Sequence, residues 1–356
     1  MKIGANKLQK DFKKRVEPFL ESYFDKKIHQ AGEIDITTKE AIKILKNFTM
    51  SGGKRIRPAL LYYSYLAMGG KDCEKILKIS ITVELLHSFL LIHDDIIDKD
   101  TRRHGVATIH ERYKKVANKY NLIKDTNHFG NSMAIISGDM AISMAYDIVS
   151  NADFSNNIIL KVFDELQKII FITSSGEMND VVMMGHQNKT KEKQILEMYE
   201  RKTAYYTFNG PIRLGCILAK ANKSDLDLFS KYALPLGKAF QIKDDILGIF
   251  ENVKKIDKTI GSDITEGKKT LLVMKALENG DSEQRRFIKK CLNKKNISKK
   301  EIEKFKKIVK KTGSLEYSEN LAKGFASEAL NALIKINFKD NSAKKFFTDI
   351  VDYIIS

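Results

Sequence analysis

Proline and cysteine are rare in this chain, and long uncharged runs are missing. There are 4 Pro and 20 Gly in 356 residues, where average usage of ~5% would give roughly 18 Pro. So few turn residues exclude an all-β sandwich and, with abundant Lys, Ile, Leu and Glu, point to a mostly helical protein. The three cysteines, Cys73, Cys216 and Cys291, are widely spaced and odd in number. That pattern fits a reducing cytoplasm and argues against a disulfide frame or a cysteine zinc site. No stretch of about 18 apolar residues is free of charge, so no membrane span is expected; the best candidate, residues 79–92, carries Glu84 and His87. The opening MKIGANKLQKDFKK lacks the apolar centre of a signal peptide.

What is present is enough for a core. Hydrophobic residues make up 43% and charged residues 30%, which excludes a disordered tail. The net charge of +17 fits a polyanionic partner or a phosphorylated substrate, but most lysines are scattered along helix faces, as at Lys289-Lys290 and Lys299-Lys300. No nucleic-acid-binding motif accompanies them, so no nucleic-acid partner is expected. Neither a short repeat nor a linker divides the chain. Helical patterning covers residues 38–48, 57–68, 74–98, 131–150, 157–172, 191–220 and 226–250, then 282–292, 298–311, 314–336 and a short tail helix. Residues 252–269 read as a loop. The expectation is one all-α domain over residues 1–356, in which two apolar, buried helices carry unusual residues.

The first of these ends in His93-Asp94-Asp95-Ile96-Ile97-Asp98. Asp94 and Asp98 are one turn apart on one face. Their mutual repulsion, worsened by the helix C-terminus, calls for positive charge, and an all-oxygen set suits Mg²⁺. The second helix carries Phe240-Gln241-Ile242-Lys243-Asp244-Asp245-Ile246-Leu247-Gly248, with Gln241 and Asp244 three apart on one face. Two such helices imply a facing pair with divalent cations between them. Anion binders fall where such a site needs them. Gly52-Gly53-Lys54-Arg55-Ile56-Arg57-Pro58 joins flexible backbone to three cations at a helix start. Arg102-Arg103-His104-Gly105 follows the first acidic cluster, Lys202-Thr203 lies on a helix, and Lys258, Lys268 and Lys269 follow the second cluster. Together they describe a cavity for diphosphates among apolar helices.

In these motifs the chain resembles the trans-isoprenyl diphosphate synthases, or polyprenyl synthetases, most nearly the short-chain geranylgeranyl type. The family's two aspartate-rich motifs match residues 93–98 and 241–248, its GGKRxRP motif matches 52–58, its Lys-Thr pair matches Lys202-Thr203, and its GxDxxEGKxT loop matches 261–270. The matches are in order and span roughly residues 30 to 340. The resemblance implies an all-α bundle around a central cavity, a homodimer, and about three Mg²⁺ per active site. It implies that Asp94 and Asp98 bind two metals and Asp244 a third, with Asp95 and Asp245 behind them. Arg102, Arg103, Lys202, Thr203, Gln241, Lys258 and Lys268 are then expected at the allylic diphosphate. Lys54, Arg57, His87 and His104 are expected at isopentenyl diphosphate.

Three departures stand out. The second motif usually ends in a third aspartate, where Gly248 stands. The family's RRG falls on Arg103 and His104 without a gap, or on Arg102 and Arg103 after a one-residue slip. Residues 354–356 are Ile-Ile-Ser, where some relatives carry a basic tail. Phe89, five residues before Asp94 and roughly 7.5 Å along the axis, with Leu90 after it, resembles the pattern of enzymes making the C20 product; the alternatives are the C15 and C25 products. Outside the family, a metal phosphohydrolase of the HD type uses a His-rich centre and leaves Gly52–Pro58 unexplained. A terpene cyclase shares the first motif but not that segment.

Overall fold

A computed structural model of the protein describes residues 2–103, 105–120, 122–185, 190–250, 262–292, 294 and 296–355. Among them the chain is all helix except for one short hairpin. Helices α1 (Lys2–Ile34) and α2 (Ile36–Met50) pack together on either side of Asp35. The Asp35 carboxylate caps α2 by accepting the Thr38 N–H at 2.8 Å, which satisfies one of the helix's unpaired donors. Gly53 (φ 91°) and Arg55 (φ 53°) then turn the chain through left-handed backbone into α3 (Ile56–Ala67). Glycine takes that backbone region without strain.

The single helix expected over residues 74–98 is two, α4 (Cys73–Ser80) and α5 (Thr82–Ile97). The Ser80 hydroxyl donates to Leu77 O at 2.8 Å, a local bond that competes with the helical ladder where the break falls. After α5, strands β1 (Arg102–Arg103) and β2 (Val106–Ala107) form an antiparallel hairpin turned at Gly105 (φ 74°). Helices α6 (Ile109–Tyr120) and α7 (Thr126–Ser150) follow; α6 has no counterpart in the sequence reading, nor does α1.

Helix α8 (Asn156–Gly185) runs well past its expected end at residue 172. Within that extension Gly176 serves packing: a Cβ there would lie 2.3 Å from Lys202 N. The run expected over 191–220 divides into α9 (Glu192–Tyr199), a π-helical stretch (Glu200–Asn209) and α10 (Gly210–Leu218). Pro211 near the start of α10 has no N–H to donate back into that stretch. The π-helix packs between α8 and the long α11 (Lys223–Phe250). On the α11 side the close approach is made by Gly237, whose Cβ would lie 2.3 Å from Ala204 Cβ.

The remainder is α12 (Ser262–Thr265), α13 (Leu271–Asn279), α14 (Ser282–Leu292), α15 (Lys299–Lys311), α16 (Ser314–Leu333) and α17 (Asn341–Ile355). Ser298 and Glu301 form a reciprocal capping box at the start of α15. α16 packs along α11, and α17 closes against α1 and α3. One contiguous apolar core extends from Phe12 in α1 to Ile354 in α17.

Two helical stretches are apolar and long enough to cross a membrane by length and composition, Cys73–Ile97 and Thr126–Ser150, with 67% and 39% of their most apolar windows buried. The first contains the Ile81 break and Glu84, which is buried against Arg55. It is core by packing.

Candidate active site

The acidic end of α5 faces cations from three other parts of the chain. Arg103, on β1, donates to Asp95 at 2.5 Å and Asp94 at 2.9 Å and lies 3.4 Å from Asp100. Lys202, on the π-helix, sits 3.4 Å from Asp94, 2.9 Å from Glu177 and 2.6 Å from Asp180, the last two on α8. Lys268, beyond α12, pairs with Asp98 at 2.7 Å and Glu266 at 2.9 Å. The segment between α12 and α13 therefore meets the end of α5. Gly267 (φ 75°) supplies the left-handed turn beside Lys268, a conformation a side chain would strain.

The π-helix joins the two acidic helices. Next to Lys202, Thr203 donates to Gln241 Oε1 at 2.6 Å, and Gln241 Nε2 donates to Asp245 Oδ1 at 2.7 Å. Asp245 also accepts from the fully buried Tyr199 hydroxyl, which accepts the Leu271 N–H at 2.9 Å. Asp245 is thus tied to α9 and α13. Asp244, one residue earlier, lies on the exposed face of α11.

Burial dominates the electrostatics. It pushes the Asp95 carboxyl up to about 7 against the pull of Arg103, and Glu177 up to about 6 against Lys202, because a low-dielectric setting disfavours the charged form. Asp98 is raised by burial and then by Asp94. Burial also opposes the charge on Lys202, yet Asp94, Asp180 and Glu177 hold its pKa above the ordinary lysine value. Oxygens of Asp94, Asp98 and Glu177 lie within 4.8 Å of one another. The Asp98 side chain is 0% exposed, with Lys268 on Oδ2 and no partner for Oδ1 among the described residues. Oxygen donors so spaced, one of them a buried unsatisfied carboxylate oxygen, fit a hard divalent cation.

A second set of cations gathers beside the π-helix. Arg57 donates to Thr207 at 2.8 Å and lies over the Tyr206 ring at 4.6 Å. The His87 ring stands 5.8 Å from the same Tyr206. Lys54 meets the Tyr353 hydroxyl of α17, its ammonium 4.8 Å from the ring centre. The third cation of that segment turns inward: Arg55 is buried, 2.8 Å from Glu84 and 3.3 Å from Glu17. Removing one partner of a buried pair costs about 3–5 kcal/mol, so Arg55 builds the loop while Lys54 stays exposed and Arg57 half-buried.

Of the residues expected at the allylic diphosphate, Arg103, Lys202, Thr203, Gln241 and Lys268 lie along this continuous network. Arg102 is exposed and donates to Gly105 O within its own hairpin. His104 and Lys258 lie outside the described residues. Phe89 packs edge-on against His93 at 4.9 Å, and His93 nests against Gly138 of α7, where a Cβ would meet its ring at 2.6 Å. Leu90 is half-buried beside Phe89. Sequence reading missed Glu177, Asp180, Asp100, Tyr199, Tyr206 and Tyr353. Glu177 and Asp180 carried a signal: two acids three apart on one helix face, the first directly after Gly176.

Comparison with known proteins agrees with this geometry. The profile of the polyprenyl synthetase family matches residues 38–310. A geranylgeranyl diphosphate synthase of Sulfolobus acidocaldarius is 34% identical over 307 residues, 86% of this chain and 87% of that protein. A short chain isoprenyl diphosphate synthase of Methanocaldococcus jannaschii is 31% identical over 355 residues, 99% and 97% of the two lengths. Among solved structures, a geranylgeranyl pyrophosphate synthase of Corynebacterium glutamicum complexed with isoprenyl diphosphate and magnesium superposes with a TM-score of 0.91. It shares 27% identity over 97% of this chain and 98% of its own.

Proposed function

The chain belongs to the polyprenyl synthetase family, and on that premise we propose that it is a trans-prenyltransferase that condenses isopentenyl diphosphate with an allylic diphosphate to give geranylgeranyl diphosphate. The observation that carries the reading is the Lys202-Thr203 stretch, which ties both acidic helices to one site. Asp94, Asp98 and Asp244 would hold magnesium, with Asp95 and Asp245 behind them. When bound there, magnesium supplies neutralising charge to a departing diphosphate.

The chain's own groups do the rest. Arg103, Lys202 and Lys268 hold the allylic diphosphate, stabilising the charge that grows as the allylic C–O bond breaks and its electron pair leaves with that group. Lys54 and Arg57, with His87, hold the diphosphate of isopentenyl diphosphate and aim its double bond at the allylic carbon, where the new C–C bond forms. The proton lost from the adjacent carbon passes to the departed diphosphate. Phe240 and Tyr206 wall off water and favour the passing cation. Phe89, fixed by His93, sets the floor that stops growth at C20, as the names of several relatives accord with.

A homodimer fits the apolar face that α7 and α8 leave uncovered. Phe171 is 78% and Met178 70% exposed, Val182 follows one turn on, and Ile135 and Ile136 of α7 are exposed as well. Several large apolar side chains exposed on one helix face mark an interaction face. A cytoplasmic location accords with three free cysteines, two of them buried. Labelled isopentenyl diphosphate incubated with each allylic starter, followed by chromatography of the dephosphorylated products, tests the assignment. A C20 alcohol formed only with divalent metal is the expected product, and absence of any condensation overturns the reading.

A further inference from the structure

Glu177 stands out because nothing in the aspartate motifs anticipates it. It comes from α8, a helix that carries neither motif, yet one of its oxygens lies within 4.8 Å of oxygens of Asp94 and Asp98. Its place is fixed by backbone. Gly176 lets α8 approach until a Cβ there would overlap the Lys202 main chain, and the residue after that glycine is then held at the mouth of the acidic cluster.

Pairing with Lys202 does not account for Glu177. Lys202 already faces Asp180 at 2.6 Å and Asp94 at 3.4 Å, and Lys268 serves both Asp98 and Glu266. Among the described residues carboxylates outnumber cations here, and the surplus is largely sheltered from water. Two oxygens show it directly: Asp98 Oδ1 and Glu177 Oε1 are both buried without a partner among the described residues, although the Asp98 side chain is 0% exposed. A carboxylate oxygen in that position lowers its energy only by meeting a proton or a cation.

We propose that Glu177 is a third protein ligand, with Asp94 and Asp98, for a divalent cation at the end of α5. The consequence is a metal position anchored by α8 as well as by α5, with cation held there before any diphosphate arrives. Lys202, relieved of Glu177 when the metal takes that carboxylate, is free to turn to the diphosphate. This inference rests on the prenyltransferase reading for the presence of a metal, but not for the identity of its ligands.

The test measures metal alone, without substrate, on the full-length protein. Mn²⁺ binding is followed by electron paramagnetic resonance, and Mg²⁺ binding by calorimetry, for wild type, Glu177→Gln, Glu177→Asp and Asp94→Asn. Circular dichroism confirms the fold of each. Glu177→Gln is expected to weaken Mn²⁺ binding about tenfold or more, as loss of one charged oxygen donor should, with Glu177→Asp intermediate. The same measurement in a Lys202→Met background is expected to keep that loss, which a role confined to holding Lys202 does not. If Asp94→Asn loses metal while Glu177→Gln binds as wild type does, Glu177 is no ligand. If neither variant alters binding, the acidic cluster is not a metal site and the prenyltransferase assignment of Asp94 falls with it.

Discussion

Replacing Gly176 by alanine sets two physical effects against each other. Gly176 lies inside α8, where helix propensity alone favours alanine by roughly 0.5–1 kcal/mol. The new Cβ, however, would stand 2.3 Å from Lys202 N, 2.6 Å from Lys202 Cα and 2.7 Å from Arg201 C. All three are main-chain atoms, so no flexible side chain can give way. Ordinary contact begins at 3.4 Å, so the helices must part until that spacing is restored. Overpacking of this kind costs about 1–3 kcal/mol, which outweighs the propensity gain. The displaced backbone carries Lys202 and Glu177, and a misplacement of about 1 Å near reacting groups costs on the order of 10²-fold in rate. The expected result is a lower melting temperature and a kcat reduced about a hundredfold. Gly324→Ala is the control. It is also within a helix, and nothing lies within 4 Å of its Cβ position. It should raise stability by about 0.5–1 kcal/mol with activity intact. A Gly176→Ala enzyme as active as wild type and more stable would refute the close-approach argument.

Other expectations follow from the same geometry. Asp94→Ala and Asp244→Ala should each abolish condensation while circular dichroism stays unchanged; metal-dependent turnover near the wild-type rate in either removes that residue from the mechanism. Phe89→Ala should lengthen the products seen by chromatography, and an unchanged C20 distribution would locate the floor elsewhere. Glu84→Gln leaves the buried Arg55 charge with only its longer contact to Glu17 at 3.3 Å. Urea unfolding should then show a loss of about 3–5 kcal/mol, and a loss below about 1 kcal/mol contradicts the pairing. Tyr353→Phe removes the hydroxyl that Lys54 meets. It should raise KM for isopentenyl diphosphate while leaving the allylic KM unchanged, and an equal change in both shows that Tyr353 serves only packing.

How much of this was written in the sequence depends on how local its causes are. Helix boundaries with a chemical stop were legible: α2 and α3 end close to where Gly52-Gly53 and Gly69-Gly70 predict. The two aspartate motifs were legible too, because i, i+3 and i, i+4 spacing fixes a shared face whatever the rest of the fold does. The true end of α8 was not legible: a glycine breaks a helix only when nothing tertiary rewards its missing Cβ, and at Gly176 the π-helix does. The inward turn of Arg55, set by Glu17 and Glu84, depends in the same way on neighbours distant in the chain.

The sequence by itself determined the residue types and their local spacing: which helices bear carboxylates, which segments bear cations, and which family the motifs resemble. Only the tertiary structure decided which carboxylates share a cation and which cation is sequestered. Lys202 meets Asp94 on α5 and Glu177 on α8, each in a different helix from its own. Lys268 meets Asp98 from a position far later in the chain. Periodicity specifies a face within one helix. Contact between faces is set by packing, through close approaches at Gly176 and Gly237 that no local pattern encodes.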